Sequence, residues 1–169
     1  GVGKTSFVYC EIFPELKKGY LSRGKQKWKI IPLKSDNKPI SSLAIALSSL
    51  ELTRGETETE VAPDLSDVFE LILRNNKLGI IEIIEKYQIA QDANLLLFID
   101  DLEDLLLQSD PADASIFVER LLEVASQNVY PIHILTASRS KLGRGFSGLQ
   151  EFAELINRSQ FVLSPFSTY

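Results

Sequence analysis

Six residues near the middle of the chain restrict its fold more than any other feature. Leu95-Leu96-Leu97-Phe98-Ile99-Asp100 is an unbroken apolar run closed by an acid. A strand with one wet face alternates apolar and polar side chains, so a run that is apolar at every position needs cover on both faces. A parallel sheet flanked by helices supplies that cover. Residues 131–136 (PIHILT) read as a second strand of the same buried type, and 28–33 (WKIIPL) as a third, with Pro32 arguing for an edge or a strand end. Residues 160–164 (QFVLS) read as a last strand.

Helical patterns lie between these runs. Residues 4–16 carry Phe7, Val8, Cys10 and Ile12 on an expected inner side, and Pro14 with Lys17–Gly19 signals an end nearby. Residues 39–52 open on Pro39, a residue at home in a first helical turn. The acidic stretch 53–63 reads as a loop. Asp64 and Ser66 can cap the next helix, which carries Leu65, Val68, Phe69, Ile72 and Leu73. Leu78, Ile81, Ile84 and Tyr87 mark a helix over 78–88. Further helices are expected over 113–127 and near 148–157, with a basic, Gly-containing loop at 138–147. Strands that alternate with helices predict one α/β domain with a mostly parallel sheet.

Composition narrows the class. The chain has 169 residues, enough for one domain with a proper core. No apolar run is long enough to span a bilayer, and no signal-peptide layout opens the chain. The single Cys10 has no partner for an internal disulfide, which fits a reducing cytoplasm, and its apolar helix pattern predicts burial. The single His133 has no second His or Cys near it, which argues against zinc. Residues 1–50 hold 9 Lys/Arg against 3 Asp/Glu, although the whole chain is at −5. The cluster Lys17, Lys18, Arg23, Lys25, Lys27 and Lys29 fits a solvated surface loop better than a nucleic-acid site.

Three short motifs carry chemistry. The chain opens Gly1-Val2-Gly3-Lys4-Thr5-Ser6, the end of a G-x-x-x-x-G-K-[ST] phosphate loop whose opening Gly would precede residue 1. Glycines let backbone N–H groups turn toward phosphate oxygens, and the helix from Lys4 aims its positive end at them. Lys4 would reach the β- and γ-phosphates, and the Thr5 hydroxyl would ligate Mg²⁺. A Gly-rich turn before a helix with a surface Lys is the competing reading. Asp100 stands at the tip of a buried strand, where α/β sheets bind ligands. Asp101, Glu103 and Asp104 follow it, and four carboxylates so close repel unless a cation or Arg offsets them. One of them could position or deprotonate an attacking water. Thr136-Ala137-Ser138-Arg139 follows the next strand, whose tip would lie beside that of Asp100, so Arg139 could sense the γ-phosphate or offset the acids.

Together these residues resemble the STAND class of signalling ATPases, relatives of the NACHT and apoptotic NB-ARC domains, and most closely the bacterial novel-STAND group. GVGKTSFVYCEIFPELKKG looks like that group's Walker A and first helix, and WKIIPLKSDNKPISSLAIAL like its second strand and following helix. LLLFIDDLEDLL looks like its Walker B, ILTASR like its sensor strand, and FVLSPFS like the stretch before its helical lid. Asp101 departs from the group, which usually has a neutral residue such as Gln or Gly there. The resemblance implies a three-layer α/β/α P-loop NTPase core over residues 1–169, a single partial domain that lacks its first strand and C-terminal lid. It implies that Gly1, Val2, Gly3, Lys4, Thr5 and Ser6 bind ATP or ADP, with Mg²⁺ held by Thr5 and Asp100. Glu103, with Asp104 as the less favoured neighbour, would be the hydrolytic acid, and Arg139 the sensor. It further implies a signal-transduction switch in a multidomain protein, with WD or other repeats and a homo-oligomer as open partners; a nucleotide-binding scaffold that does not hydrolyse ATP, and a nucleic-acid-associated ATPase, are the alternative readings.

Overall fold

The computed structural model describes residues 3–20, 27–33, 36–52, 64–89, 93–138 and 150–159. A helical stretch opens it: α1 (Lys4–Phe7), a π-turn (Val8–Ile12) and α2 (Phe13–Lys17). Then follow β1 (Lys27–Leu33), α3 (Pro39–Leu52), α4 (Leu65–Asn75), α5 (Gly79–Lys86) and β2 (Ala93–Ile99). The order ends with α6 (Leu102–Gln108), α7 (Pro111–Ser126), β3 (Ile132–Thr136) and α8 (Gln150–Arg158).

The sheet runs β1-β2-β3, and both pairings are parallel. Leu33, Ile99 and Thr136 end the three strands in register. All of β2 is buried, as its unbroken apolar run requires. Its side chains serve two cores because successive residues point to opposite faces. Leu96 and Phe98 pack against Val8, Phe13 and Leu16 of the opening helical stretch. Leu95, Leu97 and Ile99 pack with α3, α4, α5 and α7, through Leu43, Phe69, Ile83 and Phe117 among others. Phe152 of α8 joins this second core. The result is three layers, α/β/α. Pro32 lies on β1, which among the described residues pairs on one side only, where its missing N–H costs nothing.

Caps fall where side-chain chemistry places them. Asp64 accepts from the Ser66 backbone N–H, and Asp110 from that of Ala112, with Pro111 in the first turn of α7. Such caps satisfy donors that have no partner inside the helix.

Several expectations need correction. The segment after Asp100 forms a separate helix, α6, that the acidic run had concealed. Cys10 and Phe7 are exposed, whereas Val8, Phe13 and Leu16 form the inner side. The π-turn brings Val8 and Phe13 onto that one side. On α5 the buried face is Ile80, Ile83 and Ile84, while Leu78 precedes the helix and is exposed. β3 is only half-buried and His133 is exposed, with its ring 5.1 Å from that of Trp28. The loop at 53–63 and the strand expected at 160–164 lie outside the described residues.

Candidate functional site

The site forms where the start of α1 meets the end of β2. Gly3 precedes α1 with φ 115°, in the left-handed region where a Cβ would meet the backbone. Its carbonyl accepts from the Phe7 N–H at 2.8 Å, so the first helical turn closes directly on the glycine. Lys4 then begins the helix half-buried, and Thr5 and Ser6 are exposed.

Thr5 turns toward the sheet. Its hydroxyl lies 2.9 Å from Oδ1 and 3.0 Å from Oδ2 of Asp100, 95 residues away in the chain, and donates to that carboxylate. The backbone around Asp100 is held by both neighbouring strands. The Asp100 N–H donates to Leu33 O at 3.1 Å, and the Ala137 N–H to Ile99 O at 2.8 Å. The Leu102 N–H then donates to Ala137 O at 3.1 Å. Asp101, between these contacts, has φ 46° and ψ 52°. That left-handed conformation favours glycine, and Asp is among the few other residues that adopt it with any frequency. It turns the chain from β2 into α6, and the Asp101 N–H bonds back to Asp100 Oδ1 at 3.1 Å.

The acidic run is thereby spread out. Asp100 closes the strand, Asp101 precedes the helix, and Glu103 and Asp104 occupy the first turn of α6. Carboxylates are stabilised at a helix N-terminus, where backbone N–H groups lack partners. The helix end therefore offsets part of the repulsion expected from the bare sequence.

Thr136, Ala137 and Ser138 run beside the Asp100 tip, bonded to it through Ala137. Gly1, Val2 and Arg139 lie outside the described residues. Of the basic cluster, Lys18 pairs with Glu15 at 2.6 Å and Lys29 donates to Ile89 O at 3.1 Å. Lys17 and Lys27 are exposed, and Arg23 and Lys25 lie outside the described residues.

Thr5 and Asp100 offer a hydroxyl and a carboxylate, the hard oxygen donors that Mg²⁺ takes. Among the described residues no three His, Cys, Asp or Glu side chains form a metal-binding group. A cation here would complete its shell from water and phosphate, the usual Mg²⁺ arrangement in nucleotide sites.

The parallel sheet between helical layers, with a Gly-Lys-Thr helix start against the acidic tip of the central strand, is consistent with a P-loop NTPase-like core. The profile of the family described as Novel STAND NTPase 1 matches residues 1–169, the whole chain, and the chain belongs to that family. Comparison with curated proteins and with solved structures gives no match. Membership makes nucleotide binding and NTPase chemistry the activity class. Among the described residues, no helix is long and apolar enough to cross a membrane.

The backbone clamps at Leu33 and Ala137 and the π-turn lie beyond the sequence expectations. Carbonyls carry no side-chain signature, so the clamps had no signal to find. Pro14 inside an otherwise helical pattern was the available sign of the π-turn.

Proposed function

We propose that this chain is the nucleotide-binding core of a regulatory ATPase that switches with the state of its bound nucleotide. Gly1, Val2, Gly3, Lys4, Thr5 and Ser6 form the phosphate-binding segment, and Thr5 with Asp100 holds Mg²⁺. Glu103, with Asp104 beside it, orients and accepts a proton from the attacking water, and Arg139 senses the γ-phosphate. The observation that carries this reading is the bond from the Thr5 hydroxyl to the Asp100 carboxylate, which joins the two motifs.

Each residue has a defined task. Backbone N–H groups at the start of α1 bind phosphate oxygens, and the Lys4 ammonium balances their charge. A bound divalent ion supplies further charge neutralisation of the phosphates. Asp100 is held by backbone bonds on both sides, so its carboxylate keeps its aim without cost at each cycle. Glu103 lies in the first turn of α6, three residues after Asp100, and takes the part of the acid that acts on the water while Asp100 serves the cation. Loss of the γ-phosphate removes contacts that favour one arrangement of the surrounding segments, and this shifts the switch. Signal transduction, with further domains of the same protein as sensor and output, is the role that the resemblance to the STAND ATPases implies for such a switch.

Lys4→Ala in the intact protein tests the site. Removal of a charge-assisted contact costs roughly 1.5–3 kcal/mol, so ATP affinity by calorimetry should fall by about tenfold or more. Wild-type affinity in that variant sinks the assignment. Glu103→Gln should keep ATP binding and slow release of inorganic phosphate by about a hundredfold. An unchanged rate of release removes Glu103 from the hydrolytic role.

A further inference from the structure

The helix that carries Lys4 and Thr5 is not a regular α-helix. Between Val8 and Ile12 it widens to a π-turn, and the Phe13 N–H bonds to Val8 O, five residues back. Pro14 gives the reason. It has no N–H to bond the carbonyl four residues earlier, and in an unbroken α-helix its ring would press on that carbonyl, of Cys10. The wider turn relieves the conflict and lets a new helical segment start at Phe13, with Pro14 in its first turn. The Pro14 carbonyl then accepts normally, from the Lys18 N–H at 3.0 Å.

The π-turn fixes how the two halves of the stretch are rotated. In a continuous α-helix, Val8 and Phe13 would point about 140° apart. Here both are buried on the same side of the sheet, at 5% and 7% exposure. The C-terminal half is anchored there: the Phe13 ring stands edge-on to Phe98 at 5.5 Å, and Leu16 is buried beside them. The N-terminal half ends on Thr5, whose bond to Asp100 lies at the tip of the same strand. With Phe13 and Leu16 fixed, conversion of the π-turn to α would rotate Thr5 by about 100° and shift it by about 1.5 Å. A hydroxyl cannot follow such a rotation and still reach Asp100.

We propose that Pro14 is a positioning residue for the nucleotide site: the π-turn that it enforces sets the rotation of the Lys4–Phe7 turn so that the Thr5 hydroxyl meets Asp100. This rests on the function proposed above. Pro14 touches neither nucleotide nor metal, and acts at a distance of two helical turns through helical phase alone.

The test compares ATP affinity with and without Mg²⁺ in the intact protein. Pro14→Ala is expected to reduce the gain in affinity that Mg²⁺ confers by about tenfold, the scale of one charge-assisted contact. In a Thr5→Ala background the same substitution should bring no further loss. Deletion of Cys10 together with Pro14→Ala shortens the step from Val8 to Phe13 to four residues, which restores the phase within a plain α-helix. That variant should recover the Mg²⁺ gain, which a merely structural role for Pro14 would not predict. The proposal is overturned if Pro14→Ala keeps the full Mg²⁺ gain, if its loss is as large in the Thr5→Ala background, or if the Cys10 deletion brings no recovery. Should the wild-type protein bind no ATP at all, the proposed function fails instead. A crystal structure of the Pro14→Ala variant then decides the positional claim by itself: loss of the Thr5–Asp100 bond supports it, and a retained bond overturns it.

Discussion

Replacement of Arg120 by Met should destabilise the protein far more than an ordinary surface Arg would. Arg120 lies on α7 with only 4% of its surface exposed. Its Nε donates to Leu73 O at 2.8 Å, and its Nη1 to Lys77 O and to Glu123 Oε1, each at 2.9 Å. It thus ties the end of α4 and the turn into α5 onto α7. Met fills similar space but leaves two carbonyls and a partly buried carboxylate without this donor. A buried pair broken from one side costs roughly 3–5 kcal/mol. In a chain of this size that lowers the melting temperature by on the order of 10 °C. Glu123 shows where the cost resides. Burial pushes its carboxyl above the usual range despite the pull of Arg120. The ion pair itself therefore adds little, and Glu123→Gln should cost less than about 1 kcal/mol. The sign with pH follows. A carboxyl raised by folding favours the folded state when protonated, and ionisation through the folded pKa opposes folding. Loss of Arg120 raises that carboxyl further, so the Arg120→Met deficit should shrink as pH falls from about 7 toward 5. Urea and thermal unfolding at both pH values measure this. A deficit below about 1 kcal/mol, or an equal loss in Glu123→Gln, refutes the account.

Two further outcomes follow from the helical layer. Gly79→Ala should cost roughly 1–3 kcal/mol in urea unfolding, because its Cβ would stand 3.0 Å from Leu73 Cα and 3.2 Å from Ile72 O, both backbone atoms. Acid should also weaken the fold: two hydrogen bonds from Arg74, at 2.6 and 3.1 Å, hold Asp113 below the usual range, and a bond from Ser41, ahead of Arg74, does so for Glu70. Both contribute stability above their unfolded pKa values that is lost as pH falls through the folded ones, below about pH 4, and Asp113→Asn should flatten that fall in urea midpoints.

The sequence by itself determined the layers. An apolar run as continuous as 95–99 has no stable place except between two covered faces, and amphipathic segments such as 65–75 supply the cover. Residue types also marked the two ends of the site, since Gly-Lys-Thr before a helix and an acid after a buried strand are local patterns. The tertiary structure decided the rest. That Thr5 meets Asp100 depends on strand order, on parallel register and on the phase of one helix, none of which a local pattern encodes. Cys10 shows the limit: its apolar neighbours put it on the expected inner side, but packing turns Val8, Phe13 and Leu16 to the sheet and leaves Cys10 outside. The capping of Leu73 and Lys77 carbonyls by Arg120 was likewise invisible, because backbone acceptors look alike in every sequence and only packing selects which of them a buried guanidinium reaches.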